Sequence, residues 1–225
     1  MIKSLNSASV EKPVRPVEIL QFGEGNFLRA FADWAIDIAN EKGVMDAGVA
    51  ICKPRPRAEG QHTMIDTLRE QDNLFHVCLE GVENKQPKRE KRLVKCVMDS
   101  FIPDEEYSKY ESYILSPELR IIISNTTEAG IVYKDTDKVT DAPPATFPAK
   151  VTLLLKRRFE LGLPGFVFLP CELIDRNGDM KFVYGGDIVR TTDAQAYVDE
   201  NDILFSLCFG PILVDNYNPV DHTWY

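Results

Sequence analysis

The chain has 225 residues, 44% of them hydrophobic, with a formal charge of -9. This is enough apolar material for a buried core, so a folded protein is expected rather than a disordered one. The acidic balance repels phosphate backbones, which argues against a nucleic-acid partner. The longest apolar runs, Ile121 to Ile123 and Phe166 to Leu169, fall far short of the roughly 20 residues that span a bilayer, so no membrane partner is expected and a cytoplasmic location is.

In chain order, a polar arm precedes Val17 to Phe22, which reads as a short buried strand. Gly23 and Gly25 then make a turn into an amphipathic helix over Phe27 to Ala39. Val49 to Cys52 reads as a second strand, stopped by Lys53, Pro54, Arg55, Pro56 and Arg57. Between residues 62 and 102, Leu74 to Leu79 and Leu93 to Met98 alternate in polarity and fit a hairpin inserted in the domain. The basic stretch Lys85 to Lys95, with Lys88, Arg89, Lys91 and Arg92, reads as a solvated turn feeding a strand. Asp104 to Leu115 has a helical pattern, and Leu119 to Ser124 is an apolar strand of the kind buried between helix layers, which implies a parallel sheet. After a linker at Asp141 to Pro144, Pro148 to Leu161 reads as a helix ended by Gly162 and Pro164, Phe166 to Leu169 as the next strand, and Asp175 to Asp179 as a polar loop. The expected fold is therefore α/β, a Rossmann-like, doubly wound, mostly parallel sheet with an inserted β-hairpin and a strand-rich C-terminal tail.

The five cysteines, Cys52, Cys78, Cys96, Cys171 and Cys208, are odd in number and show no C-x-x-C spacing. Reduced thiols are expected. His62, His76 and His222 lack the spacing of a helical metal pair, and no metal site is expected.

The chemistry-bearing segment is Ile19, Leu20, Gln21, Phe22, Gly23, Glu24, Gly25, Asn26, Phe27, Leu28, Arg29 and Ala30. A glycine turn between a strand and a helix lets backbone amides approach a pyrophosphate, and the helix start adds unpaired N–H groups and a partial positive charge. The usual fingerprint has Gly or Ala three residues after the second glycine, whereas Leu28 stands there, so an altered packing of helix on strand is expected. The motif alone also permits a glycine turn without a ligand.

The segment Gln21 to Phe31 resembles the opening of the long-chain polyol and sugar-acid dehydrogenases, the mannitol dehydrogenase family, and especially its hexuronate branch. Ser124 to Gly130, Asp141 to Lys150 and Pro170 to Asp175 resemble later blocks of that family in the same order, so the likeness covers about residues 15 to 179. It implies NAD as cofactor, a small sugar-acid substrate and the interconversion of D-tagaturonate and D-altronate. Ile19 to Ala30 would be the cofactor-binding stretch, joined by Asn125, Thr126, Thr127 and Glu128, with Cys171 and Glu172 on a substrate-side loop. Two alternatives stay open there, since Thr126 and Thr127 could cap a helix and Cys171 could be a buried structural thiol. Cofactor choice is also open on local charge. An acidic residue after the second strand usually reads the ribose of NAD, and this chain has Lys53, Arg55 and Arg57, which suit a 2′-phosphate; the resemblance favours NAD.

The family's proton-transferring lysine is expected in a downstream helical domain, so catalytic residues are not assigned and little turnover is expected of this chain alone. From about Met180 the likeness to the dehydrogenases fades, and Phe205 to Val214 resembles part of a phosphodiester glycosidase domain. The expected division is residues 1–179 as the dinucleotide-binding domain and 180–225 as a separate tail, joined by fusion. The alternatives are a noncatalytic dinucleotide-binding fragment and a fusion in which the glycosidase piece carries the function. Oligomeric state is not assigned.

Overall fold

The structure, a computed structural model, describes residues 5–83, 85–126 and 130–172 apart from 133, 135 and 139, together with strands at 182–184, 187–189, 217–218 and 223–224. The chain divides into two compact units, residues 1–119 and 120–225.

In the first unit, β1 (Val17–Phe22), β2 (Gly48–Cys52) and β5 (Val97–Phe101) lie side by side in the order β5-β2-β1, all parallel. Every residue of β2 is buried, as a central parallel strand flanked by two others requires. Its first residue has to be glycine: a Cβ on Gly48 would meet the Met98 Cγ at 2.5 Å and the Pro16 carbonyl oxygen at 2.9 Å. The helical run after β1 comprises α1 (Asn26–Leu28), a π-helical turn (Arg29–Asp33) and α2 (Trp34–Glu41). Leu28 is buried, and the helix widens immediately after it. A π turn inserts one extra residue, and it begins directly after this bulkier third position. Asn40 then closes the return to β2, its amide nitrogen donating to the Ala47 carbonyl at 2.8 Å while its oxygen accepts from the Ala47 amide at 2.9 Å.

Between β2 and β5 the structure departs from the sequence reading in three ways. Met64–Glu70 forms a helix, α3, whose start is fixed by a reciprocal Thr63–Asp66 capping box. The inserted hairpin is β3 (Phe75–Glu83) with β4 (Gln86–Val94), and the stretch read as Leu93 to Met98 is broken at Lys95 and Cys96 so that its second part joins the parallel sheet as β5. The basic stretch is strand β4 rather than a turn. Most of it is exposed, but Arg92 bonds Asp37 on α2 at 2.8 and 3.0 Å and Glu41 at 2.5 Å, anchoring the hairpin to the helix. Helix α4 (Tyr107–Leu115) starts three residues later than the sequence suggests, after a turn at 103–105, and buries Tyr110 and Ile114.

In the second unit, β6 (Ile121–Ser124) and β7 (Val167–Pro170) are parallel neighbours joined through α5 (Phe147–Glu160). Thr146 caps α5 by accepting from the Ala149 amide, and Val151, Leu153 and Leu154 form its buried face. The guanidinium of Arg158 lies over the Phe166 ring at 4.3 Å and donates to the Pro164 carbonyl, fixing the exit of α5 into β7. Four short strands follow as antiparallel pairs, β8 (Phe182–Tyr184) with β9 (Asp187–Val189) and β10 (Tyr217–Asn218) with β11 (Thr223–Trp224). The first unit thus supplies three parallel strands and the second two, alternating with helices, the α/β Rossmann-like fold read from the sequence, with its inserted hairpin and strand-rich tail. The loop 175–179 and the run 203–215 lie outside the described residues.

Candidate functional site

The glycine turn sits at the C-terminal end of β1. The Gly23 amide donates to the Cys52 carbonyl at 3.0 Å, tying the turn to the end of β2, and Gly23 has φ 123°, a backbone region that side-chain-bearing residues avoid. Gly25 is the N-cap of α1 in extended conformation, and a Cβ placed on it would meet nothing within 4 Å among the described residues, so the space beside Gly25 is open. The first intrahelical bond reaches Arg29, whose amide donates to the Gly25 carbonyl at 3.3 Å, so the amides of Asn26, Phe27 and Leu28 precede the helical ladder. An anion set against them would meet aligned N–H groups and the positive end of the helix.

The predicted segment divides by role. Ile19, Leu20 and Phe22 are core residues of β1 and Leu28 is buried under the helix, so these support the turn through packing. Gly25, Asn26, Phe27 and Ala30 are exposed, and Glu24 and Arg29 are half-buried. Arg29 acts as a brace: its Nε donates to the Glu24 carbonyl at 3.0 Å, its Nη2 to the Asn26 side chain at 2.5 Å, and its guanidinium lies over the Phe75 ring.

Beneath the turn lies a buried polar pair of which the sequence reading named only Gln21. The Gln21 amide nitrogen donates to the Gly23 carbonyl at 3.1 Å and reaches the Asp33 carboxylate at 3.4 Å. Both side chains are fully buried, and one oxygen of each, Gln21 Oε1 and Asp33 Oδ1, has no hydrogen-bond partner among the described residues. Burial pushes the Asp33 carboxyl up to about 7, against the opposing Gln21 hydrogen bond and Arg29 charge. Cys96 donates its thiol to the Asp33 carbonyl, and burial raises that thiol well above its ordinary range. The signal missed in the sequence was an acid on the inward face of the helix that follows the turn.

The basic exit of β2 is matched by carboxylates. Lys53 pairs with Glu24 of the glycine turn at 3.3 Å. Arg57 grips Glu105 through Nε and Nη2 at 2.5 and 2.9 Å, and its Nη1 reaches both Asp66 oxygens at 2.9 and 2.8 Å.

In the second unit, four of the predicted residues meet at the C-terminal ends of β6 and β7. The Asn125 side-chain amide donates to the Cys171 carbonyl at 2.6 Å, and the Cys171 amide donates to the Ser124 carbonyl at 2.7 Å. The buried Glu172 carboxylate accepts from the Ser124 hydroxyl at 3.1 Å, the Thr126 amide at 3.1 Å and the Thr126 hydroxyl at 3.4 Å. Cys171 is buried, and its thiol points to the Leu169 carbonyl at 3.6 Å. Thr127 and Glu128 lie outside the described residues. No cluster of three or more metal-ligating side chains occurs among the described residues, and no helix there is long and apolar enough to cross a membrane.

Comparison with known proteins places this geometry in a family. The model of the mannitol dehydrogenase Rossmann domain matches residues 17–215, past residue 179 and into the segment set apart in the sequence reading. Altronate oxidoreductase of Yersinia enterocolitica is 40% identical over 188 residues, covering 79% of this chain and 37% of the relative. That of Pectobacterium atrosepticum is 41% identical over 214 residues, covering 91% and 43%, and that of Bacteroides thetaiotaomicron is 38% identical over 181 residues, covering 79% and 37%. The chain therefore spans about two fifths of the length of these relatives. Among solved structures, Pseudomonas fluorescens mannitol 2-dehydrogenase, in ternary complex with NAD and D-mannitol, superposes with a TM-score of 0.61 at 22% identity over 73% of this chain and 35% of that one. A substrate-free D-sorbitol dehydrogenase gives 0.64 at 15% identity over 98% and 57%. A strand, a glycine turn with open space beside Gly25 and a helix, repeated parallel strands and a match across most of the length lead to one conclusion: this chain belongs to the mannitol dehydrogenase family.

Proposed function

We propose that this chain is the dinucleotide-binding part of an NAD-dependent sugar-acid oxidoreductase that interconverts D-tagaturonate and D-altronate. The observation that carries the reading is the Gly23–Gly25 turn with open space beside Gly25, in a chain about 40% identical to altronate oxidoreductases. The residues fit the cofactor. A pyrophosphate needs close backbone approach, amides outside the helical ladder and no obstructing Cβ, and the reading is supported by Gly23 at φ 123°, by the open space at Gly25 and by the three amides that precede the first helical bond.

When bound, NAD(H) supplies the hydride acceptor or donor. The residues of this chain then have binding and positioning roles. Gly23, Gly25 and the amides of Asn26 to Leu28 receive the pyrophosphate, while Ile19, Leu20, Phe22 and Leu28 hold the strand and helix at fixed spacing. Glu24, Arg29 and Ala30 line or brace the turn. In the second unit, Asn125, Thr126, Thr127 and Glu128 belong to a cofactor-side loop, and Cys171 and Glu172 to a substrate-side loop. The Glu172 carboxylate serves that loop by holding Ser124 and Thr126 rather than as an open base. The cofactor-binding residues named here all fall within residues 1–179, and the protein works in the cytoplasm on a small soluble sugar acid.

Calorimetric titration of the purified chain with NADH tests the reading. Saturable binding is expected, and a folded chain that takes up no NADH contradicts it. A parallel assay of tagaturonate reduction separates binding with turnover from the alternative of a noncatalytic binding module.

A further inference from the structure

The cation-rich exit of β2 poses a question of specificity. In sheets of this type the end of the second strand reads the adenosine ribose, where an acid accepts from the 2′-hydroxyl of NAD and an arginine accommodates the 2′-phosphate of NADP. Lys53, Arg55 and Arg57 stand at that position, and on residue type alone they predict the phosphorylated cofactor. Their contacts reverse the expectation.

All three nitrogens of the Arg57 guanidinium are engaged. Nε and Nη2 form a two-point fork on Glu105, and Nη1 is shared between the Asp66 carboxylate and the Gln61 carbonyl. Arginine recognises phosphate through that same planar fork, so a 2′-phosphate would have to displace a carboxylate already bound in the preferred geometry. Asp66 is fixed in turn by the capping box, accepting from the Thr63 amide at 2.7 Å and hydroxyl at 2.9 Å, so it cannot swing away without releasing the start of α3. Lys53 pairs with Glu24 in the glycine turn itself, cancelling a negative charge beside the place a pyrophosphate would occupy. Arg55 is exposed and makes no ion pair among the described residues, so its attraction for phosphate is screened by solvent. Two of the three cations, Lys53 and Arg57, thus face three carboxylates, Glu24, Asp66 and Glu105.

We infer that Glu105, by occupying the fork of Arg57, is a specificity-determining residue that makes the site choose a dinucleotide with an unmodified ribose 2′-hydroxyl over one with a 2′-phosphate. This rests on the glycine turn being a dinucleotide site. Glu105 suits the test because it lies at the edge of the cluster, its side chain 38% exposed, and outside the capping box.

The experiment is calorimetric titration of the full chain with NADH and with NADPH, for the wild type, Glu105→Gln, and the double variant Glu105→Gln with Arg57→Ala. The wild type is expected to bind NADH more tightly than NADPH by about tenfold or more, a loss of about 1.4 kcal/mol for the phosphorylated ligand. Glu105→Gln is expected to raise NADPH affinity about fivefold or more, the scale of one additional charge-assisted hydrogen bond, with NADH affinity changed by less than about twofold. The double variant is expected to lose that increase. Equal wild-type affinities, an unchanged ratio in Glu105→Gln, or an increase that survives removal of Arg57 would each overturn the inference while leaving the dinucleotide site intact. A folded wild-type chain that binds neither ligand would overturn the reading of the site and this inference with it.

Discussion

The glycine turn of the first unit and the loop ends of the second use polar groups in opposite ways. At the turn, Gly23 at φ 123° and Gly25, whose Cβ position is open, lead into three amides that precede the helical ladder. At the ends of β6 and β7 the polar groups satisfy one another: Glu172 absorbs the Ser124 hydroxyl and the Thr126 amide, and Asn125 absorbs the Cys171 carbonyl. The first arrangement is prepared for a ligand's charge, and the second fixes the shape of two loops. An acidic residue within a family-like block can therefore be structural, while glycines that contribute no functional group carry the binding chemistry.

The largest expected effect lies at the turn. Gly23→Ala forces a side-chain-bearing residue into a backbone region that costs about 1–3 kcal/mol, and the turn should relax away from its binding geometry. NADH affinity should fall by more than about tenfold, read by titration; unchanged affinity would show that the turn does not hold the ligand. Next is Glu172→Ala, which strands a buried hydroxyl and a buried amide. A loss of about 1–3 kcal/mol is expected in urea unfolding. If stability holds, the carboxylate does not fix the two loops and the contrast between the two regions fails.

Asp33 offers a third test, through pH. Its folded carboxyl titrates at about 7 because burial disfavours the charged form, while the unfolded chain titrates it near 3.8. Between these values the folded state keeps a proton that the unfolded state has released, so this group's contribution is full below about pH 4 and is lost as pH rises to about 7. Asp66 has the opposite sign: the Thr63 amide and Arg57 hold its carboxyl well below the usual range, so its contribution is lost only on acidification below about pH 4. Asp33→Asn should flatten the change in unfolding midpoint between pH 5 and pH 8, and an unaltered slope would remove Asp33 as its source. The smallest effect is expected for Arg89→Ala. Its pair with Glu80 on the hairpin is largely exposed, and a change under about 0.5 kcal/mol is expected, against a larger loss for Arg92→Ala, which breaks the contacts with Asp37 and Glu41.

Periodicity and punctuation in the sequence carried most of the sheet. Val17 to Phe22 was legible to the residue because it is short, apolar and stopped by glycine, and β2, β6, α5 and β7 fell within two residues of their observed bounds. The region from 62 to 102 was harder to read. Helix α3 is only seven residues long, too few for a repeating face, and its capping box uses aspartate instead of the commoner glutamate. The hairpin and β5 follow one another with only Lys95 and Cys96 between them, so one alternating pattern concealed a change of sheet. At the site, the glycines were legible because their role is local. The pairs Asp33 with Gln21, Lys53 with Glu24, Arg57 with Glu105 and Glu172 with Ser124 are separated by 12 to 48 residues in the chain, and no local pattern encodes such pairings.

The most direct test of the central claim, that the glycine turn is the dinucleotide site, is amide hydrogen exchange of the chain with and without saturating NADH, resolved to peptides covering residues 19–30. The account predicts slowed exchange at Gly25 to Leu28 on binding. Tight NADH binding with no protection there, its slowed amides lying elsewhere in the chain, would contradict it.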